Sequence, residues 1–114
     1  MELLKRIAIV VQPKEPYLAW ARSLENDSPI DTLTPGELSS LYLAEEPVDD
    51  DEFDAIIEKH FKKIFAEKLE MWWRDKKAWP KKRNYAMFLE WFNVKVVDAV
   101  YDLKQSLVER RRLG

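Results

Sequence analysis

Aromatic and basic side chains alternate in one segment of the chain, residues 72–85. Four of the five tryptophans lie between Met71 and Trp91, together with a dense group of lysines and arginines. Indole rings can stack on nucleic-acid bases, and cations can neutralise phosphates or carboxylates. The residue types therefore suggest a binding surface. Its candidate residues are Trp73, Arg74, Lys76, Lys77, Trp79, Lys81, Lys82 and Arg83.

Two kinds of partner fit this segment. The first is a protein, because tryptophan and arginine are enriched at the sites that dominate protein interfaces. An acidic partner would complement the cations. The alternative is a single-stranded nucleic acid bound through residues 72–85. We predict a protein-interaction or regulatory module without catalysis, and nucleic-acid binding is the second hypothesis.

The same aromatic residues have a structural interpretation. Trp72 continues the apolar stripe of a long helix, and Trp79 with Pro80 would fill the corner between two helices. Neighbouring residues on a helix cannot face the same way, so Trp73 must point away from the face of Trp72. We therefore expect Trp73 or Trp79 to be the most exposed ring.

The sequence contains no motif for catalysis, metal binding or cofactor binding. It has no cysteine, one histidine (His60) and two glycines, so thiolate chemistry, common zinc sites and glycine-rich phosphate loops are excluded. The acidic run 49–52 lacks the spacing of a calcium loop and is interpreted as a helix capping box between Asp49 and Glu52. We predict no enzyme activity, no metal and no cofactor.

Charge is distributed unevenly along the chain. Residues 1–57 carry a net charge of −9 and residues 58–114 a net charge of +7, although the whole chain carries −2. The basic half could meet an anionic partner, or the two halves could neutralise each other in the fold. The longest apolar run, residues 7–11, is far shorter than the roughly 20 residues of a membrane helix. We predict a cytoplasmic protein that does not bind membranes.

Hydrophobic periodicity indicates the elements that must position these residues. A β-branched run predicts a buried strand over 6–12, and i, i+3, i+4 stripes predict helices. The predicted order is strand 6–12, a helix from Pro16, strand 39–44, a long helix from Phe53 to Trp72, a helix from Tyr85 and strand 94–103.

This order predicts a two-layer α+β fold, β-α-β-α-α-β, with a three-stranded mixed sheet and helices packed on one side. We expect the first strand in the middle, a parallel second strand and an antiparallel third strand. Residues 1–103 would form a single domain, and residues 104–114 a basic tail or short helix. The second strand could lie at a sheet edge, where pairing between two chains would give a homodimer.

Several short motifs carry a resemblance to other proteins. They are the run 16–20 (PYLAW), Trp79-Pro80, the run 88–92 (FLEWF) and the run 101–103 (YDL). With these motifs the chain resembles a group of small uncharacterised bacterial proteins, some of which carry a VacJ-type label. True VacJ proteins are outer-membrane lipoproteins anchored through an N-terminal cysteine, which this chain lacks. The resemblance therefore implies no functional residues.

Overall fold

Strand β2 (Ile7–Pro13) is the middle strand of a three-stranded sheet. The computed structural model describes residues 1–104 and 106–113 and all their side chains except that of Asp50. In this structure β2 lies between β3 (Ser40–Ala44) and β4 (Phe92–Val97). Both neighbours are antiparallel to β2. The α+β class is confirmed, as are the middle position of the first strand and the antiparallel third strand.

The mixed sheet is wrong, because β3 is antiparallel rather than parallel. A parallel β3 would begin beside the start of β2, but Ser40 pairs with Val11 near the end of β2. The connection contains α1 (Glu15–Ser23), a 3-10 turn (Pro29–Thr32) and the four-residue helix α2 (Pro35–Leu38). These short elements return the chain to the end of the sheet that it has just left.

One long connection, from β3 to β4, completes the helical part of the fold. After a 3-10 turn (Asp50–Glu52), α3 spans Phe53–Trp72, and α4 spans Tyr85–Trp91. The side chain of Asn84 caps α4 by accepting a hydrogen bond of 2.8 Å from the Met87 N–H. The capping box predicted at Asp49 is wrong, because the Asp49 side chain makes no cap hydrogen bond. A capping box instead begins α2, between Thr34 and Glu37.

The core lies between one face of the sheet and the helices. Alternate residues of β2 (Ile7, Ile9 and Val11) are buried on this face, as strand geometry requires. Phe65 of α3 is fully buried. Its ring centroid lies 5.8 Å from that of Phe88, 5.7 Å from that of Trp91 and 5.4 Å from that of Phe92. The predicted helical stripes therefore meet in an aromatic core.

The chain termini extend from the sheet. Strand β1 (Glu2–Leu3) pairs with β5 (Tyr101–Asp102), so the strand predicted over 94–103 is interrupted after Val97. Residues 106–113 form neither helix nor strand, and residues 105 and 114 of the predicted tail lie outside the described residues. In the described parts of the chain, no helix is both long enough and apolar enough to cross a bilayer.

Glu45, directly after β3, connects the sheet to α3. Its carboxylate accepts a hydrogen bond of 2.6 Å from Lys59 Nζ and lies 2.6 Å from His60 Nε2. His60 is half-buried and contacts a carboxylate on a neighbouring element, which fits a structural role. The hydrogen bonds from Lys59 and His60 lower the pKa of Glu45 to about 2.

We expect this contact to contribute to stability above pH 4.5, the usual pKa of glutamate, and to be lost as the pH falls towards 2. Because the Glu45 side chain is substantially exposed, Glu45→Gln should lower the free energy of unfolding by less than about 1 kcal/mol at pH 7. Urea unfolding at pH 7 and at acid pH measures the difference. Glu46→Gln, at an exposed neighbouring position, is the control. An equal loss at both pH values would contradict the assignment.

Candidate binding surface

Trp79 is buried in the corner between α3 and α4. It follows a 3-10 turn (Lys76–Ala78) that begins where the Asp75 side chain accepts a hydrogen bond from the Lys77 N–H. Only 5% of Trp79 is exposed, and its Nε1–H donates to the backbone oxygen of Trp73 at 2.7 Å. The prediction that Trp79 could be the most exposed ring is therefore wrong. Its indole lies inside the loop between α3 and α4 (residues 73–84) and donates a hydrogen bond to the backbone of that loop.

Cations of the same segment lie over the Trp79 ring. Lys76 Nζ is 5.8 Å and Arg83 Cζ is 5.5 Å from the ring centroid, within the range of cation–π attraction. Arg83 Nη1 also donates to the Pro80 oxygen at 2.7 Å. With its ring buried and its neighbouring cations in place, Trp79 offers no free face for a nucleobase.

A second indole fastens this loop to α1. The Nε1–H of Trp20 donates to the Ala78 oxygen at 2.9 Å, and the Trp20 ring lies 6.1 Å from that of Trp91. This contact joins residues that are far apart in sequence, so sequence periodicity could not reveal it. The loop is therefore held by hydrogen bonds from two tryptophans.

Trp73 is the candidate ring that keeps some exposure. It follows the last residue of α3 in an extended conformation, and its N–H donates to Leu69 O at 2.8 Å. Trp73 is half-buried. Trp72 packs against the core as predicted, and its buried Nε1 has no hydrogen-bond partner among the described residues. Of the two rings predicted to bind a partner, Trp73 and Trp79, only Trp73 could contact one.

The predicted cations are arranged around this loop. Arg74, Lys76, Lys77, Lys81 and Lys82 are exposed, and Arg83 is half-buried. Within the part of the chain that the structure describes, none of these six side chains forms an ion pair. The ion pairs found there instead use Arg22, Lys59 and His60. The charge of this segment is therefore not neutralised by close contact with the described acidic residues.

Three cations surround a concave site between the loop and α3. Lys62, Lys81 and Arg83 line a cavity of about 240 Å³. Lys62 was not among the predicted binding residues. Glu58 lies one turn earlier on α3, at a spacing that allows a helical ion pair, but no ion pair between Glu58 and Lys62 is present among the described residues. Only the fold shows that the loop returns to Lys62.

A charged side chain is buried where the sequence gave no indication of one. Lys68 of α3 is 1% exposed, and its Nζ donates to Leu38 O at 2.7 Å and to Ser40 Oγ at 3.1 Å. Burial lowers the pKa of Lys68. The Tyr17 hydroxyl donates to the backbone oxygen of Lys68 at 2.6 Å. These contacts join α1, α2, β3 and α3, which indicates a structural role.

A tyrosine–carboxylate contact lies beside Lys68. The Tyr42 hydroxyl donates to Glu67 Oε1. Burial, together with the carboxylate of Glu67, raises the pKa of both Tyr17 and Tyr42. Both hydroxyls are protonated donors at neutral pH. The Tyr17 hydroxyl holds α1 against α3, and the Tyr42 hydroxyl holds the sheet against α3.

Comparison with known proteins identifies no relative. The chain matches no protein-family model, no curated protein and no solved structure. The resemblance carried by Trp79-Pro80 and by the run 88–92 therefore stays a prediction. The functional argument rests on the geometry of the loop and its cations.

Proposed function

We propose that this protein is a non-catalytic interaction module that binds an acidic protein partner. Its binding site is the basic surface, defined here as Lys62, Arg74, Lys76, Lys77, Lys81, Lys82 and Arg83. The observation that carries the proposal is the convergence of Lys62, Lys81 and Arg83 on one concave site without an ion-pair partner among the described residues. A carboxylate-rich segment of a partner would supply the missing charge.

The central cation of this surface is held in place before a partner binds. Arg83 lies over the Trp79 ring and donates to the Pro80 oxygen. A guanidinium has five N–H donors, so Nη1 can keep its intramolecular bond while other donors contact a carboxylate. Immobilising a flexible side chain at an interface costs about 0.5–1.5 kcal/mol, and an ordered Arg83 avoids part of that cost.

The lysines around Arg83 have a different role. They are exposed point charges on flexible stems, and such groups mainly accelerate encounter with a partner of opposite charge. Their effect should weaken with salt, because the Debye length falls to about 8 Å at physiological ionic strength. The basic surface thus combines one ordered anchor with a diffuse positive field.

Single-stranded nucleic acid is the second candidate, and Trp73 is the observation that favours it. A half-buried indole beside Arg74 could stack on one base. The buried Trp79 removes the second stacking platform that a nucleic-acid groove would use. An acidic protein needs no stacking platform, so the geometry supports it better.

The basic surface can be tested with two anionic probes, a fluorescent polyglutamate peptide and a fluorescent oligothymidine. In anisotropy titrations at low salt, Lys62→Glu/Lys81→Glu/Arg83→Glu should weaken polyglutamate binding by about tenfold or more, because three favourable ion pairs become repulsive. Lys5→Glu/Arg6→Glu/Lys104→Glu changes the net charge equally at exposed positions elsewhere, and should change affinity by less than about twofold.

The two candidates predict different results for Trp73→Ala. An acidic-protein site should keep its polyglutamate affinity, whereas a nucleic-acid site should lose oligothymidine affinity by about 1–3 kcal/mol. Equal losses in the two triple variants would show that only net charge matters and would remove the proposed site. Absence of polyglutamate binding with strong oligothymidine binding would favour the second candidate.

A further inference from the structure

The concave site between the loop and α3 gathers more positive charge than one carboxylate can neutralise. Lys62, Lys81 and Arg83 line its cavity of about 240 Å³. Among the described residues, no acidic side chain lines this cavity, and none of its three cations forms an ion pair. Cations that converge without a counter-ion repel one another, so the site is suited to an anion that carries more than one charge.

Contacts between α3 and the start of α4 bring these cations to one place. Tyr85, two residues after Arg83, has its ring centroid 5.3 Å from that of Phe61, the residue before Lys62. The Tyr85 hydroxyl also donates to the Asp54 carboxylate of α3. Phe61 belongs to the buried core, so the end of the loop is fixed against this part of α3. Lys62 and Arg83 therefore reach the same cavity in the folded protein.

The size of the cavity points to one compact group. Pockets that enclose whole small molecules measure roughly 300–1,000 Å³, so about 240 Å³ suits the end of a single side chain. A glutamate would bring one negative charge to three cations. A phosphomonoester carries a charge of about −1.5 to −2 at pH 7 and offers three strong acceptor oxygens. The phosphodiesters of a nucleic acid carry only one charge each, so a monoester fits the site better.

We propose that this cavity binds the phosphate of a phosphorylated side chain in the acidic protein partner. The inference rests on the proposed function and names the group that the central cations recognise. The Arg83 guanidinium keeps one N–H on the Pro80 oxygen, and its other donors can bind two phosphate oxygens at once. Lys62 and Lys81 would add two compact positive charges. Acidic residues that flank the phosphate would meet the exposed lysines around the cavity.

Two fluorescent peptides test the phosphate site in anisotropy titrations at neutral pH. The first contains one phosphoserine flanked by glutamates, and the second has two glutamates in place of the phosphoserine, so the two peptides carry nearly the same charge. We expect the wild-type protein to bind the phosphoserine peptide about tenfold or more tightly. The reason is that the phosphate dianion forms charge-assisted hydrogen bonds with all three cations, which a single carboxylate cannot do.

Three variants show whether the cavity causes this preference. Arg83→Lys keeps the charge but removes the planar fork, so the preference should fall to about threefold or less while affinity for the glutamate peptide changes by less than about twofold. Lys62→Gln should reduce the preference in the same way. Lys63→Gln removes the same charge at an exposed neighbouring position that does not line the cavity, and should leave the preference unchanged.

The possible outcomes separate this inference from the proposed function. Equal affinities for the two peptides would overturn the phosphate site and leave the acidic-partner proposal intact. Absence of binding to either peptide would overturn both. Inorganic phosphate, used as a competitor, should bind at least about tenfold more weakly than the phosphoserine peptide, because it lacks the flanking glutamates. Equal affinity for inorganic phosphate would show a site for the free anion and would overturn the phosphorylated partner.

Discussion

Replacement of Trp79 by alanine is expected to lower the free energy of unfolding by about 3–5 kcal/mol, the usual cost of truncating a buried large aromatic side chain. Trp79 is buried in the corner that joins α3 to α4. Its loss would remove the hydrogen bond to the Trp73 oxygen and the ring over which Arg83 lies. Because whole domains have only about 5–15 kcal/mol of stability, this loss would be large.

Two matched variants separate the contributions of Trp79 from those of its neighbours. Trp73→Ala keeps the backbone oxygen that accepts the Trp79 hydrogen bond and removes a half-buried ring, so we expect a smaller loss than for Trp79→Ala. Trp79→Phe keeps an aromatic ring but lacks the indole N–H, whose hydrogen bond contributes about 1 kcal/mol. Urea unfolding followed by circular dichroism measures all three. A Trp79→Ala variant as stable as wild type would show that the ring is not part of the core.

The consequence for binding is indirect. Because Trp79 positions Arg83, Trp79→Phe should retain the fold while weakening the cation–π contact, since indole is the better partner for a cation. A modest loss of polyglutamate affinity in a stable Trp79→Phe variant would separate positioning from direct contact. Residues 72–85 would then contact the partner through Arg83 rather than through exposed aromatic rings.

Replacement of Lys68 by alanine is expected to lower the free energy of unfolding by about 3 kcal/mol. Truncation leaves a cavity where the buried stem was, and it removes the donor that satisfies Leu38 O and Ser40 Oγ. Lys68→Met keeps the volume of the stem and removes a buried charge, so its loss should be smaller. Lys63→Ala, at an exposed position of the same helix, should have little effect. An equal loss for Lys63→Ala and Lys68→Ala would contradict the buried position.

The pH dependence of the free energy of unfolding distinguishes the effect of the buried Lys68 ammonium from the effect of packing its stem. Burial lowers the pKa of Lys68 in the folded state below its usual value of 10.5. Between that lowered pKa and 10.5 the unfolded chain binds more protons, so the contribution of Lys68 to stability rises with pH. The raised pKa values of Tyr17 and Tyr42 act in the opposite direction only above their usual value of 10.0. Unfolding of wild type and Lys68→Met from neutral pH to pH 10 should show a rise that the variant lacks.

The sequence predicted the parts of the fold that depend on local pattern. The β-branched run Ile7–Val11 indicated a strand with neighbours on both sides, and β2 is the middle strand of its sheet. The spacing of Phe53, Ile57, Phe61 and Leu69 indicated one long helix, and α3 extends from Phe53 to Trp72. Such periodicity follows from the geometry of a single element, so a sequence is enough to reveal it.

The direction of β3 and the burial of Lys68 were decided by tertiary structure. A short strand has the same pattern in either direction, and only the path through α1 and α2 places Ser40 beside Val11. A lysine on a helix is usually exposed, and burial becomes tolerable here because Leu38 O and Ser40 Oγ accept its hydrogen bonds. Those acceptors are about 30 residues away in the chain.

The aromatic-basic segment shows the same division. Because its cations and indoles are neighbours along the chain, the sequence by itself determined that they would lie close together in the fold. Tertiary structure decided that Trp79 faces inwards, because its N–H reaches the Trp73 oxygen, and that Lys62 joins Lys81 and Arg83 around one concave site. Local pattern fixes which residues are near each other along an element. The side that each residue faces depends on contacts between distant segments, which a single sequence does not record.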